Sequence, residues 1–228
     1  LSQSTEQEPP RGEGAVHLLS LLKGAGLTTF TTALDLALIN GPLDPYVDVR
    51  CWSVSFVLGS GLANQKARAD CEKSGDRLWY YGSGSYQGQE GSMLPNRWIT
   101  GCGLWISGAE GGWSWTFLRP KDDAFNDFDG EGHREAKDAM IVYPTEGDGP
   151  PLPTTQWEGI RHGANDFRYL YTARAAASRL TGDAGRRAQE ELDRLTAEMP
   201  WSVRPADVDS ETLDAWRERA ARLIVRCR

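Results

Sequence analysis

The sequence predicts an α/β fold with about four parallel strands, and three observations lead there. Segments of helical spacing alternate with short β-branched or aromatic segments between residues 15 and 117. That order places parallel strands side by side with helices as crossovers. Trp113, Trp115 and Phe117 recur at every second position, so a strand would carry all three rings on one face. A polar, acidic stretch with Asn126, Asp127 and Asp129 follows at once, in the place where α/β folds gather chemistry, the carboxyl ends of the strands.

Taken in order, residues 1–14 are polar and read as a loop. Val16, Leu18, Leu19, Leu21 and Leu22 then fall at helical spacing until Gly24 and Gly26 stop the run. Residues 27–33 (LTTFTTA) are short and β-branched, a first strand, and residues 47–52 (VDVRCW) give a second. Residues 62–74 form a polar amphipathic helix closed by Gly75. Residues 77–82 (RLWYYG) form the third strand.

A glycine-rich loop leads to a helix starting near Pro95 and Asn96. Trp98, Ile99, Cys102, Leu104, Trp105 and Ile106 make it largely buried, and Gly101 and Gly103 admit close approach of a neighbour. Residues 113–117 are the fourth strand. Residues 139–144 (AMIVYP) read as extended, residues 154–180 as a long helix, and residues 183–199 and 210–226 as two more. The last has Ser210 as its N-cap and Leu213, Trp216, Ala220 and Leu223 on one stripe. Arg161, Asp166 and Arg168 on the long helix read as structural ion pairs.

Composition narrows the function classes. Nine Trp against six Phe raises the odds of flat stacking surfaces, and a net charge of −7 supplies no basic stripe for nucleic acid. No apolar run approaches the roughly 20 residues of a membrane span. Cys51, Cys71, Cys102 and Cys227 contain no CxxC pair, so zinc is not expected, while two disulfides and four free thiols both fit. Asp127, Asp129, Glu131, Gly132 and Asp138 imitate a calcium loop only in part, since a strand precedes them and Asp replaces the bidentate Glu. No metal or cofactor is expected. His17, His133 and His162 stand apart from any nucleophile motif.

Tyr81, Trp113 and Trp115 are either a sugar platform or core packing, with Trp115 nearer the strand's end. Asp127 and Asp129 either bind hydroxyl groups or cap the loop. Four parallel strands do not close a barrel of eight. The missing strands are expected upstream of Leu1.

The run IVYPTEGDGPPLPTTQWEGIRHGANDFRYLYTA resembles the segment that closes the catalytic domain of glycoside hydrolase family 123 and its uncharacterised relatives, at Tyr143, Pro144, Thr154, Trp157, Glu158, Arg161, Gly163, Asp166, Tyr169 and Tyr171. Trp79-Tyr80-Tyr81, Asn96-Arg97, Leu104-Trp105, Trp113-Ser114-Trp115 and Asn126-Asp127-Phe128-Asp129-Gly130 are similar to the preceding strands of that group. The resemblance extends over roughly residues 5–180.

It implies the C-terminal half of a (β/α)8 barrel over residues 1–181, with residues 182–228 as a helical extension. It also implies retaining hydrolysis of β-linked N-acetylhexosaminides, N-acetylgalactosamine above all, in which the substrate's acetamido oxygen is the nucleophile. Glu8 in Gln7-Glu8-Pro9 falls at the family's acid/base position, and Gln7 stands where the family has Asp. A neutral amide can hydrogen-bond to the charged intermediate but cannot offset its charge. Tyr81, Trp113, Trp115, Asn126 and Asp127 are implied to line the sugar site. The expected partners are a carbohydrate and the upstream part of the same polypeptide, with no nucleic acid and no membrane. The alternative is a non-catalytic carbohydrate-binding or structural remnant of such a barrel.

Overall fold

The computed structural model describes residues 13–33, 39–83, 93–115, 117–118, 123–125, 140–145 and 147–227. Four strands, β1 (Phe30–Ala33), β2 (Val49–Ser53), β3 (Arg77–Ser83) and β4 (Gly111–Trp115), lie side by side in sequence order, all parallel. Helix α1 (Glu13–Gly24) precedes β1 and ends where Gly26 takes a positive φ of 76°. Between β2 and β3 run a short helix α2 (Val54–Leu58) and α3 (Gly61–Ser74). Ser60 accepts the Ala63 N–H at the start of α3, and Gly75 closes it in the left-handed region at φ 77°.

The register assigns each side chain to a face. Phe30, Val49 and Arg77 align in one row, Cys51, Trp79 and Gly111 in the next, and Tyr81 and Trp113 in a third, all on one side. Arg50, Trp52, Leu78 and Tyr80 point to the other side, where the helices pack and Trp52, Leu78 and Tyr80 join the main core. In a flat sheet β1 and β4 would be about 14 Å apart, three spacings of about 4.8 Å. The rings of Phe30 and Trp113 nevertheless come within 5.7 Å, so the sheet curls around that first face. It remains open among the described residues, with β1 and β4 as edges. The architecture is α/β with four parallel strands and helices, compatible with part of a barrel.

The crossover to β4 departs from the expected continuous helix. It consists of α4 (Met93–Trp98), a π turn (Ile99–Gly103) and α5 (Leu104–Ser107). A π turn leaves a carbonyl of the ordinary ladder without its helical donor, and the Tyr80 hydroxyl donates to the carbonyl of Ile99. The long helix α6 (Thr155–Ala177) lies directly on this segment. A Cβ on Gly159 would stand 2.2 Å from the Met93 carbonyl, and one on Gly163 would stand 2.1 Å from Thr100 Oγ1. Gly101 meets Gly163 in the same way, at 2.9 Å, as its spacing predicted.

A small antiparallel pair, β5 (Val142–Tyr143) and β6 (Leu152–Pro153), precedes α6. The chain ends in α7 (Gly182–Ala197) and α8 (Ser210–Arg226). These pack on α6 and share one core with the sheet's helices, from Trp52 and Tyr80 to Leu192, Leu213 and Leu223. The N-cap of α8 is Asp209 rather than Ser210: Asp209 has extended backbone and accepts the Thr212 N–H at 2.7 Å, while Ser210 is already helical. All four cysteines are free thiols.

Two ion networks hold the helical side. Arg50, 1% exposed, reaches Asp44, Asp76 at 2.5 Å and Asn40 at 2.6 Å near the amino ends of the strands. Arg97 and Asp166, 2% and 1% exposed, pair at 2.7 Å, as Asp166 was expected to do. Arg161 instead pairs with the exposed Glu158 on its own helix, 2.6 Å away.

Replacing Gly163 or Gly159 by Ala should lower stability by about 1–3 kcal/mol, because the added methyl meets backbone or a held hydroxyl. Gly14→Ala has open space around it and should shift stability far less; denaturant midpoints of the three variants decide this. A second expectation concerns acid. Hydrogen bonds from the Thr29 N–H and Lys23 hold Asp48 below the usual carboxylate range. Its stabilisation is therefore present above the unfolded carboxylate pKa and is lost as pH falls through the lower folded value. Asp48→Asn should flatten the loss of stability below about pH 4, measured by thermal melts across pH.

Candidate functional site

The curled face of the sheet is lined by rings rather than by aliphatic side chains. Phe30 packs edge-on to Trp79 with ring centroids 5.7 Å apart and touches Trp113 at the same separation. Gly111 makes this possible: a Cβ there would lie 2.7 Å from the Trp79 ring. The indole therefore lies over the backbone of β4, and its N–H is buried with no acceptor among the described residues. The Arg77 guanidinium lies over that ring, 5.7 Å from its centroid.

Tyr81 and Trp113 are register partners one row nearer the carboxyl ends. Trp113 is 50% exposed and Phe30 37%, so water reaches the apolar floor. Burial raises the pKa of the Tyr81 phenol, with Cys51 adding to the shift. Cys51, on the same face one row nearer the amino ends, is fully buried, and burial pushes its thiol up to about 12. Tyr81 is thus a neutral hydrogen-bonding group at physiological pH, beside a thiol that does not ionise there.

A second group of rings, three of them exposed and Tyr143 half-buried, includes the first ring past β4. Phe117, just past β4, meets Trp157 edge-on at 6.3 Å, and Phe125 stacks on Tyr143 at 5.2 Å. Thr154 positions Trp157 by accepting its N–H at 3.2 Å while donating to the Ile141 carbonyl at 2.5 Å. Glu158 follows, and its hydrogen bonds from Arg161 hold it below the usual carboxylate range. That is the reverse of what a general acid at neutral pH requires.

Of the residues expected at the site, the structure brings Tyr81 and Trp113 together. Trp115 is in β4, opposite Ser83. Gln7, Glu8, Asn126 and Asp127 lie outside the described residues, as does the partial calcium loop. Phe30, Trp79 and Cys51 were missed. The same period-two rule applied to RLWYYG separates Trp79 and Tyr81 from Leu78 and Tyr80, whereas Phe30 joins them only through the strand register. An open cleft of about 530 Å³ lined by Glu191, Glu218, Ala221, Arg222, Val225 and Arg226 lies on the C-terminal helices and includes none of these residues.

No family profile and no curated protein sequence matches the chain. A solved structure of a family 123 glycoside hydrolase from Clostridium perfringens, described in connection with glycolipid glycan hydrolysis, is similar with a TM-score of 0.49 and 13% identity. The similarity covers 87% of this chain and 34% of that one, so the chain spans about a third of that protein's length. A likeness this weak decides neither fold nor function, which rest on the residues themselves.

The thiols offer a check on the packing of this face. Cys51, Cys71 and Cys102 are buried, and Cys227 is half-buried near the end of the chain. A thiol reagent at pH 8 should modify Cys227 first and reach the other three only on unfolding; rapid modification of Cys51 in the native protein would mean that the layer covering this thiol opens readily.

Proposed function

We propose that this chain forms part of a glycoside hydrolase of the family 123 type, acting on β-linked N-acetylhexosaminides, N-acetylgalactosamine first, with assistance from the substrate's own acetamido group. The observation that carries the proposal is the pairing of Tyr81 with the half-exposed Trp113 on a curled, ring-lined face near the carboxyl ends of parallel strands. Flat apolar rings beside a neutral phenol suit the apolar face and the hydroxyl or amide groups of a sugar. The motif resemblance over residues 143–171 supports the same reading. In it Glu8 is the acid/base, Gln7 contacts the acetamido group, and Trp115, Asn126 and Asp127 complete the glycone site. The two sheet edges left unpaired among the described residues and the half-exposed Trp113 support upstream strands of the same polypeptide as the rest of the cylinder.

Roles then follow from chemistry. Glu8 protonates the departing oxygen and later takes a proton from water, as one carboxyl group does in retaining hydrolysis. Gln7, being neutral, orients the acetamido group without offsetting the charge that develops on it. Trp113 contributes stacking in the ground state and the transition state alike, so its loss raises KM more than it lowers kcat.

Hydrolysis of an aryl β-N-acetylgalactosaminide by the polypeptide carrying its upstream strands tests this. Glu8→Gln should lower kcat at least about 10²-fold, the scale of general acid catalysis. Trp113→Ala should raise KM up to about tenfold. Equal rates for wild type and Glu8→Gln would remove Glu8 from the mechanism. Saturable tryptophan quenching by the sugar without turnover would favour the non-catalytic, carbohydrate-binding alternative, for which Gln7 is the main support.

A further inference from the structure

The two C-terminal helices resemble packing elements in sequence, yet the residues they touch are not surface residues of the sheet layer. Arg97 sits one turn into α4, the next described helix after β3 in the chain. Its guanidinium is 2% exposed. Asp166 takes Nε at 2.7 Å and Nη2 at 3.2 Å. The remaining acceptors come from α8: Asp214 takes Nη2 at 2.7 Å and the Ser210 carbonyl takes Nη1 at 3.4 Å. Without α8 a buried cation would lose part of its hydrogen-bond shell, a costly state for a charge out of water.

The neighbouring residue is keyed the same way. Trp98 donates its indole N–H to the Ser202 carbonyl at 2.8 Å and packs on Trp216 at 6.3 Å. Arg217 completes the network, reaching Asp214 at 2.5 Å and Asp166 at 3.2 Å. Two consecutive side chains of α4 thus each take at least one partner from residues more than 100 positions later in the chain.

We infer that α8 is a clamp on α4, with Asp214 as its positioning residue, so that the helix carrying Arg97 and Trp98 is held in place by the C-terminal segment. The clamp stands apart from the proposed hydrolytic chemistry and is tested without substrate. Hydrogen exchange on the full chain reads it. The amides of α4 and of the first turns of α8 should open together, with the same denaturant dependence.

Asp214→Asn removes the charge-assisted bond from Arg97. It should speed exchange in both segments roughly tenfold or more, leave β2 and α3 unchanged, and be reversed by Asp214→Glu. Opening of α8 alone with α4 unaffected would overturn the clamp. So would equal acceleration of every amide, which marks a general loss of stability, or no change in either segment.

Discussion

The constraint on which the helical layer depends is the contact of α6 with α4 and the π turn, where three glycines bring two backbones together around the buried Arg97 and Asp166 pair. Charge is expensive to bury, and such a pair survives only when geometry and further hydrogen bonds satisfy it. Here the geometry comes from the glycines: with no Cβ at positions 101, 159 and 163, α6 comes close enough for Asp166 to present both oxygens to Arg97. Moving α6 outward by even a methyl group would lengthen those bonds. The small residues and the ion pair therefore depend on one another.

That layer in turn decides which face of the sheet is free. Tyr80 anchors β3 to the π turn through the Ile99 carbonyl, and Leu78 and Trp52 join the core on the same side. The odd-numbered rings of β3 are left on the opposite side, where the curl gathers them with Phe30 and Trp113. A curled sheet whose ring-lined face is partly exposed among the described residues can be covered by more strands or can meet a flat ligand.

Much of the fold was legible. The helix over residues 62–74 was readable because Gly75 marks its end, and β2 and β3 because their β-branched and aromatic runs are short and bounded. Gly101 and Gly103 were readable as close-approach positions, and both are crowded by neighbours. The π turn was not legible, because apolar residues on several sides of a buried helix blur its period and conceal an extra residue in a turn. The Ser210 cap was misplaced by one residue because Asp and Ser serve equally well as caps and only backbone conformation separates them. Of the site, Tyr81 and Trp113 could be named from period two, while Trp79 was quoted within its run but not assigned to their face.

By itself the sequence determined the order of helices and strands, their parallel arrangement and the aromatic character of one strand face, since each follows from local spacing and from side chains a few residues apart. Tertiary structure alone decided that Phe30 meets Trp113, that Arg97 draws its partners from Asp166 and Asp214, and that the buried Cys51 lies opposite Trp79. These pairings join residues separated by tens of positions. They depend on register, on curl and on how closely two helices can approach, quantities that no local pattern encodes.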